Sequence, residues 1–334
     1  MTIEADFLRR IPAEALRTEE GVDMLDLLDL VGMLPSTFST GSMRASTPRG
    51  AGTKPSARAL RHLPTRDYAE AAPVPTRPHR MHPMLENKPF FLKASAERVC
   101  LLLHGLGGGP YEMQPLAESL YAQGLSVLAV AYPGHDKPAR RMPASTWPEW
   151  YGHIEATYRK LAGAFASISV VGFSTGCPLA LHLAAHWPVA KLVLISPFVS
   201  VRHRWFYLLP PEAYLYSVGR LLPQVPRRRL PVRDRAMREA AEQAAYYRTF
   251  NLCAVRSALA LVGTVKAELS LVRSPLLILQ SRRDSVVAPS GAEYIYRRVR
   301  SRVRQLHWFD KSDHILPLDL ERKEVYERVG RFLL

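Results

Sequence analysis

No apolar run in the 334-residue sequence approaches the roughly 18 residues that cross a bilayer as a helix, so a membrane-spanning segment is not expected. The N-terminus also lacks an uninterrupted apolar core. Glu4, Asp6, Arg9 and Arg10 break its first apolar residues, which argues against a signal peptide, and the early acids argue against a transit peptide. Cysteine is scarce. Cys100, Cys177 and Cys253 are odd in number and scattered, which excludes a disulfide framework and shows no metal-ligand spacing. The expected compartment is therefore the reducing cytoplasm, and no metal is expected. Acidic residues are the minority, 30 Asp and Glu against 45 Lys and Arg, for a formal net charge of +15. Such a balance raises nucleic acid or a membrane surface as a partner. The excess is spread over several regions, however, and no recognised nucleic-acid motif organises it. No nucleic-acid partner is expected, and the charge reads as a solvated surface or a rim that attracts anions.

What is present divides the chain into regions. Residues 1–85 read as an N-terminal extension. Within it, Asp23, Asp26 and Asp29 recur at a spacing of three, which sets them on one helical face with apolar residues opposite. Docking of that apolar side on the main domain is the favoured reading. A dimerisation helix, and with it a homodimer, or a membrane-surface helix is the alternative, the latter disfavoured because such helices carry Lys and Arg, not Asp, on the polar face. Residues 35–85 carry prolines at 35, 48, 55, 64, 73, 75, 78 and 83 and few large apolar side chains, the composition of a linker.

From residue 86 short apolar runs alternate with helical stretches. Val99–Leu103, Leu125–Ala131, Ile168–Val171, Leu192–Ile195 and Pro275–Leu279 read as strands covered on both faces, and Arg304–Phe309 as a weaker sixth. Pro115–Gln123, Trp150–Ala164, Pro178–His186 and Asp319–Leu334 read as helices between and after them. The predicted class is α/β, a mostly parallel sheet flanked by helices. Residues 86–198 and 270–334 form its core. Residues 199–269 break the alternation with aromatic and Arg-rich segments, read as a helical cap inserted over the C-terminal edge of the sheet.

The strongest chemical signal is Gly172-Phe173-Ser174-Thr175-Gly176, between a strand and a helix. A sharp turn there lifts a serine hydroxyl above the sheet, and the helix N-terminus behind it favours developing negative charge. Glycines follow an earlier strand in His104-Gly105-Leu106-Gly107-Gly108-Gly109. They suit a loop that offers backbone N–H groups to an oxyanion, with Leu106 and Thr175 as the candidate donors. The loop lacks the endings of a phosphate-binding motif. A base and its acid must follow in chain order. Asp284 lies just past strand Pro275–Leu279, and His314 just past strand Arg304–Phe309. Asp310 and Asp313 are the alternative acids. His104 is read as a loop-shaping residue. His182 and His186, four apart on a helix, show no third ligand in the sequence and are read as a helix face.

On these residues the chain resembles the α/β-hydrolase superfamily, and within it bacterial carboxylesterases and monoacylglycerol lipases. The resemblance runs from Pro89 to the C-terminus, about three quarters of the chain. It rests on Lys88–Leu92, Leu101–Gly105, Tyr132–Asp136, Ser145–Tyr151, the serine elbow, the Arg283-Asp284 loop and the Asp313-His314 turn. It implies an eight-stranded or slightly reduced sheet, no cofactor, a small cap over an acyl pocket, and an oxyanion hole formed by Leu106 and Thr175. Residues 1–85 precede the family's usual start, and the cap is longer and more basic than the family's. The expected activity is cleavage of small-molecule carboxylic esters, short- to medium-chain acyl esters or monoacylglycerols. Ser174 would be the nucleophile, His314 the base and Asp284 the acid. Trp205, Phe206 and Tyr207 in the cap suit an apolar acyl or aryl group, and Arg202, Arg204 and Arg227 to Arg229 an anionic one. The rivals are an acyltransferase or amidase with the same triad, and a non-catalytic ligand-binding member of the fold.

Overall fold

The computed structural model describes residues 84–202, 223–227 and 229–334. Trp205, Phe206, Tyr207, Arg204, Arg228 and the N-terminal helix read around Asp23 lie outside them.

Nine strands are present among the described residues. Seven make one sheet: β1 (Phe90–Leu92), β2 (Arg98–Leu103), β3 (Ser126–Ala129), β4 (Ser167–Phe173), β5 (Leu192–Ile195), β8 (Leu276–Ser281) and β9 (Arg304–Phe309). Their order is β1-β3-β2-β4-β5-β8-β9, parallel except for β1, which runs antiparallel to β3 at the edge. The remaining two, β6 (Gln224–Pro226) and β7 (Thr249–Asn251), pair antiparallel with each other inside the insertion. That segment was expected to be helical throughout. Three-residue strands leave too little alternation for periodicity to reveal them.

The inner strands are apolar at nearly every position because both faces are covered. Along β2, Val99, Leu101 and Leu103 face one layer, and Cys100 and Leu102 the other. The first layer packs on α2 (Trp147–Ala162), α3 (Gly176–His186), α5 (Leu252–Glu268) and α6 (Ser290–Arg298), through residues such as Trp150, Leu179, Leu261 and Ile295. The second packs on α1 (Gln114–Ala122), α4 (Arg235–Ala244) and α7 (Arg322–Leu333), through Leu116, Met237 and Val325. Local chemistry sets several helix starts. Asp234 accepts the Met237 N–H at 3.1 Å to cap α4, and Asn251 accepts the Cys253 N–H at 2.9 Å to cap α5. Both buried cysteines serve packing, and all three are free thiols.

The strand order contains the feature that makes a site. From β2 the chain moves outward to β3 and then returns to place β4 on the opposite side of β2. In an open parallel sheet such a reversal leaves a crevice beyond the C-terminal ends of the two adjoining strands. Here those ends are Leu103, paired with Gly172, and the residues just past it in β4. No described helix is long and apolar enough to cross a membrane.

Candidate active site

Ser174 follows the last residue of β4 directly and stands two residues before α3. Its φ is 53°, a left-handed backbone that non-glycine residues seldom adopt. The flanking glycines explain how the chain tolerates this turn. A Cβ on Gly172 would lie 2.5 Å from the Gly176 carbonyl oxygen, and one on Gly176 would lie 2.2 Å from that of Leu103. Side chains at either position would force the elbow apart.

The turn sets Ser174 Oγ 2.9 Å from His314 Nε2. His314 Nδ1 lies 2.8 Å from Asp284 Oδ2. Asp284 Oδ1 accepts the N–H groups of Val286 and Val287, each at 2.9 Å, and Oδ2 also accepts Gln280 Nε2 at 3.0 Å. The carboxylate is fully buried and each oxygen is held. Burial alone would raise its pKa. The facing His314 and the two backbone donors outweigh that and hold it below the ordinary aspartate value. For His314 burial disfavours the charged ring, but the Asp284 carboxylate prevails and raises the imidazole above its usual value. Asp313 turns elsewhere and accepts the Ser285 N–H at 2.8 Å. Asp310 lies at the surface, 3.8 Å from Arg282. Neither replaces Asp284 at the histidine.

The glycine loop after β2 abuts the elbow. An ideal Cβ on Gly105 would sit 3.3 Å from Ser174 Cβ, so the segment bearing Leu106 lies against the nucleophile. Thr175, at the start of α3, contributes a first-turn N–H that a helix cannot satisfy internally. His104 is fully buried, stacked on Tyr132 at 3.9 Å between ring centres, and its Nδ1 lies 2.9 Å from the Gly105 carbonyl. Burial holds its pKa well below the ordinary imidazole value. Its described contacts are to the Gly105 carbonyl, Tyr132 and His135, which suit a loop-shaping role.

Four residues that sequence reasoning passed over support this arrangement. Glu112, only 2% exposed, accepts the Gly105 N–H at 3.0 Å through Oε2. Burial raises its carboxyl pKa against the pull of Arg227 and that backbone donor. Ser196, the other non-glycine residue with a left-handed backbone among the described residues, donates Oγ to the His314 carbonyl at 2.7 Å. Gln280 holds Asp284, as above. Phe250, on β7, packs against Gly107, where a Cβ would meet its ring at 2.8 Å. Glu112 and Gln280 lie seven and four residues from their partners Gly105 and Asp284, whereas Ser196 and Phe250 reach theirs only through the fold. The arginines named from sequence are partly engaged with backbone. Arg227 Nη1 donates to the Gly107 carbonyl at 2.7 Å, and Arg202 donates to the Asp284 carbonyl. A cavity of about 160 Å³ beside Arg227, Arg229, Tyr247 and Arg248 gathers basic residues in the insertion.

A buried carboxylate–imidazole–hydroxyl chain is the arrangement that acyl transfer through a serine requires. Comparison with known proteins points the same way. The family described as serine aminopeptidase, S33, matches residues 94–321. A thermostable monoacylglycerol lipase from Bacillus sp. (strain H-257) is 28% identical over 253 residues, covering 75% of this chain and 96% of that protein. A carboxylesterase from Bacillus subtilis (strain 168) is 25% identical over 247 residues, covering 74% and 96%. The crystal structure of a monoacylglycerol lipase from Paleococcus ferrophilus superimposes with a TM-score of 0.64 at 18% identity, covering 75% of this chain and 98% of that one. At that identity the structural likeness speaks for the fold.

Proposed function

Because the chain belongs to the serine aminopeptidase S33 family of α/β-hydrolases, we propose that it is a serine hydrolase that cleaves carboxylic esters through an acyl-enzyme on Ser174. The observation that carries this reading is the unbroken contact from Asp284 through His314 to Ser174 Oγ. His314 Nε2 takes the Ser174 proton as the hydroxyl attacks the ester carbonyl. The imidazolium so formed faces the Asp284 carboxylate, which stays ionised. The tetrahedral oxyanion falls to the Leu106 and Thr175 N–H groups, with the N-terminal end of α3 adding its dipole. Collapse expels the alcohol, protonated by His314. Water then attacks the acyl-enzyme with His314 as general base and frees the acid and Ser174. No step calls for a cofactor.

In this reading the insertion between β5 and β8, residues 199–269, caps the site. Phe250 and Arg227 reach the glycine loop from it, and Trp205, Phe206 and Tyr207, outside the described residues, are the candidates for binding the acyl group by their apolar chemistry. The related carboxylesterase and monoacylglycerol lipase favour a small apolar acyl ester as substrate. The family's description as a peptidase keeps the amide on the test panel.

The experiment is a p-nitrophenyl ester series from acetate to palmitate, run with the wild type and Ser174→Ala, alongside a matched anilide. Turnover by the wild type that vanishes in the variant, with esters well ahead of the anilide, is the expected result. Activity that persists in Ser174→Ala, or a preference for the anilide, overturns the proposal.

A further inference from the structure

Away from Ser174, the described residues bring one other group of metal-binding side chains together. His182 and His186 lie four apart on α3, so the helical period sets both imidazoles on one face. The sequence shows no acid beside them, yet the fold delivers one from 82 residues downstream. Glu268, the last residue of α5, places Oε2 2.6 Å from His182 Nδ1 and Oε1 3.1 Å from His186 Nε2. The candidate ligand atoms of the three all lie within 4.8 Å of one another.

We propose that His182, His186 and Glu268 form a binding site for a divalent transition-metal ion of the zinc class, one that pins the helix behind Ser174 to the last helix of the insertion. The site takes its ligands from α3 and α5, and it is independent of the reading of the catalytic centre.

The donor set suits such an ion. Two imidazole nitrogens and one carboxylate are ligands of borderline character, and water completes a tetrahedron. Bonds of about 2.1 Å place tetrahedral ligands about 3.4 Å apart. The two histidines now reach different carboxylate oxygens, His186 Oε1 at 3.1 Å and His182 Oε2 at 2.6 Å, so the carboxylate must turn to offer one oxygen to the ion, and the widest separation, up to 4.8 Å, must close by somewhat more than an ångström. The mobility for that adjustment is on the right residue. The His186 side chain is 45% exposed, while His182 is held edge-on by Tyr151 at 4.4 Å and Trp147 at 5.4 Å between ring centres. One ligand is fixed and one can swing in.

Electrostatics favour a cation at this point. His186 is the last residue of α3 and Glu268 the last of α5, so the negative ends of two helix dipoles converge on the cluster. Lys266, on the last turn of α5, stands over the Tyr294 ring at 5.6 Å. Hydrogen bonding by itself gives His186 little reason to stay, because an exposed pair gains almost nothing over water. An ion would reward all three side chains at once.

The test uses the full chain, stripped with a chelator, dialysed, and titrated with Zn²⁺ alone by calorimetry. One ion per chain with a Kd on the order of 10 μM or tighter is expected. His186→Ala and Glu268→Gln should each weaken binding at least about tenfold, a loss that even outer partners of metal ligands produce. His307→Ala, which removes the pairing with Glu324 on another face, should leave affinity unchanged. Co²⁺ in place of Zn²⁺ should give a tetrahedral visible spectrum that both site variants lose. Glu268→Gln preserves side-chain volume, and matching circular dichroism melts in chelator separate lost ligation from lost structure. Absence of binding at roughly 0.1 mM Zn²⁺ overturns the proposal, as does affinity equal to wild type in both site variants.

Discussion

Gly176→Ala offers a severe test of how the elbow and the oxyanion loop are built. The alanine methyl would arrive 2.2 Å from the Leu103 carbonyl oxygen and 2.8 Å from that of His104, where ordinary van der Waals contact begins at 3.4 Å. Both obstacles are backbone, so no side chain can swing away. Relief requires the first turn of α3 and the end of β2 to separate by about 1 Å. Thr175 immediately precedes α3 and Leu106 lies three residues past β2, and in the proposed mechanism their N–H groups must meet the same oxyanion. A misplacement of about 1 Å in catalytic geometry costs roughly 10²-fold in rate. Overpacking of this kind also costs about 1–3 kcal/mol of stability. Gly152→Ala is the control. Gly152 is exposed in the middle of α2, and a Cβ there meets nothing within 4 Å, so the change should stabilise by about 0.5–1 kcal/mol and leave activity alone. The assays are kcat/KM on the best p-nitrophenyl ester and urea unfolding of both variants. If Gly176→Ala stays within about threefold of wild-type kcat/KM at unchanged stability, the close packing of loop on elbow does not govern the donors.

Two further outcomes follow from the site's electrostatics and wiring. In the proposed mechanism activity needs neutral His314, and its pKa is raised by Asp284, so kcat/KM should fall on the acid side with a midpoint above the ordinary imidazole value of 6.5. Asp284→Asn removes the raising charge, so the residual activity, reduced by roughly 10⁴-fold as for the analogous change in serine proteases, should have its acid limb moved to lower pH. An unmoved limb would mean that another group sets it. Glu112→Ala leaves the Gly105 N–H buried without its acceptor, a loss of about 1–3 kcal/mol, whereas Glu112→Gln keeps an acceptor oxygen and should recover most stability and turnover. Equal damage from both would show that the charge matters more than the hydrogen bond.

What could be read from the sequence was whatever local chemistry announces. Five apolar runs became strands of the sheet because burial on both faces demands apolar residues at nearly every position, while the sixth, Arg304–Phe309, lies at the sheet edge with Arg304 and Gln305 exposed and gave a weaker signal. Ser174, Asp284 and His314 each stand just past a strand end, which a sequence displays directly. The partners that hold them are set by tertiary contact. Ser196 reaches the His314 carbonyl across 118 residues, and Glu268 reaches His182 across 86. Nothing near either position marks such a pairing. The same limit applies to β6 and β7. Each has three residues, and only their mutual pairing makes them strands. Phe250 lies within that pairing, opposite Val225, and Arg227 directly follows it; both touch Gly107, so the insertion's contact with the glycine loop was equally hidden.

The left-handed backbone of Ser174 bears on which residues evolution can try at this position. A side chain branched at Cβ crowds its own backbone when φ is positive, far more than an unbranched one does. Threonine carries the same hydroxyl as serine and is one base change away, but at this turn it would distort the strand-to-helix junction. Cysteine has the unbranched shape the junction accepts. Drift at the position is thereby channelled by conformation before reactivity is tested, and a lineage that abandons serine while keeping the turn has cysteine as its nearest nucleophilic neighbour.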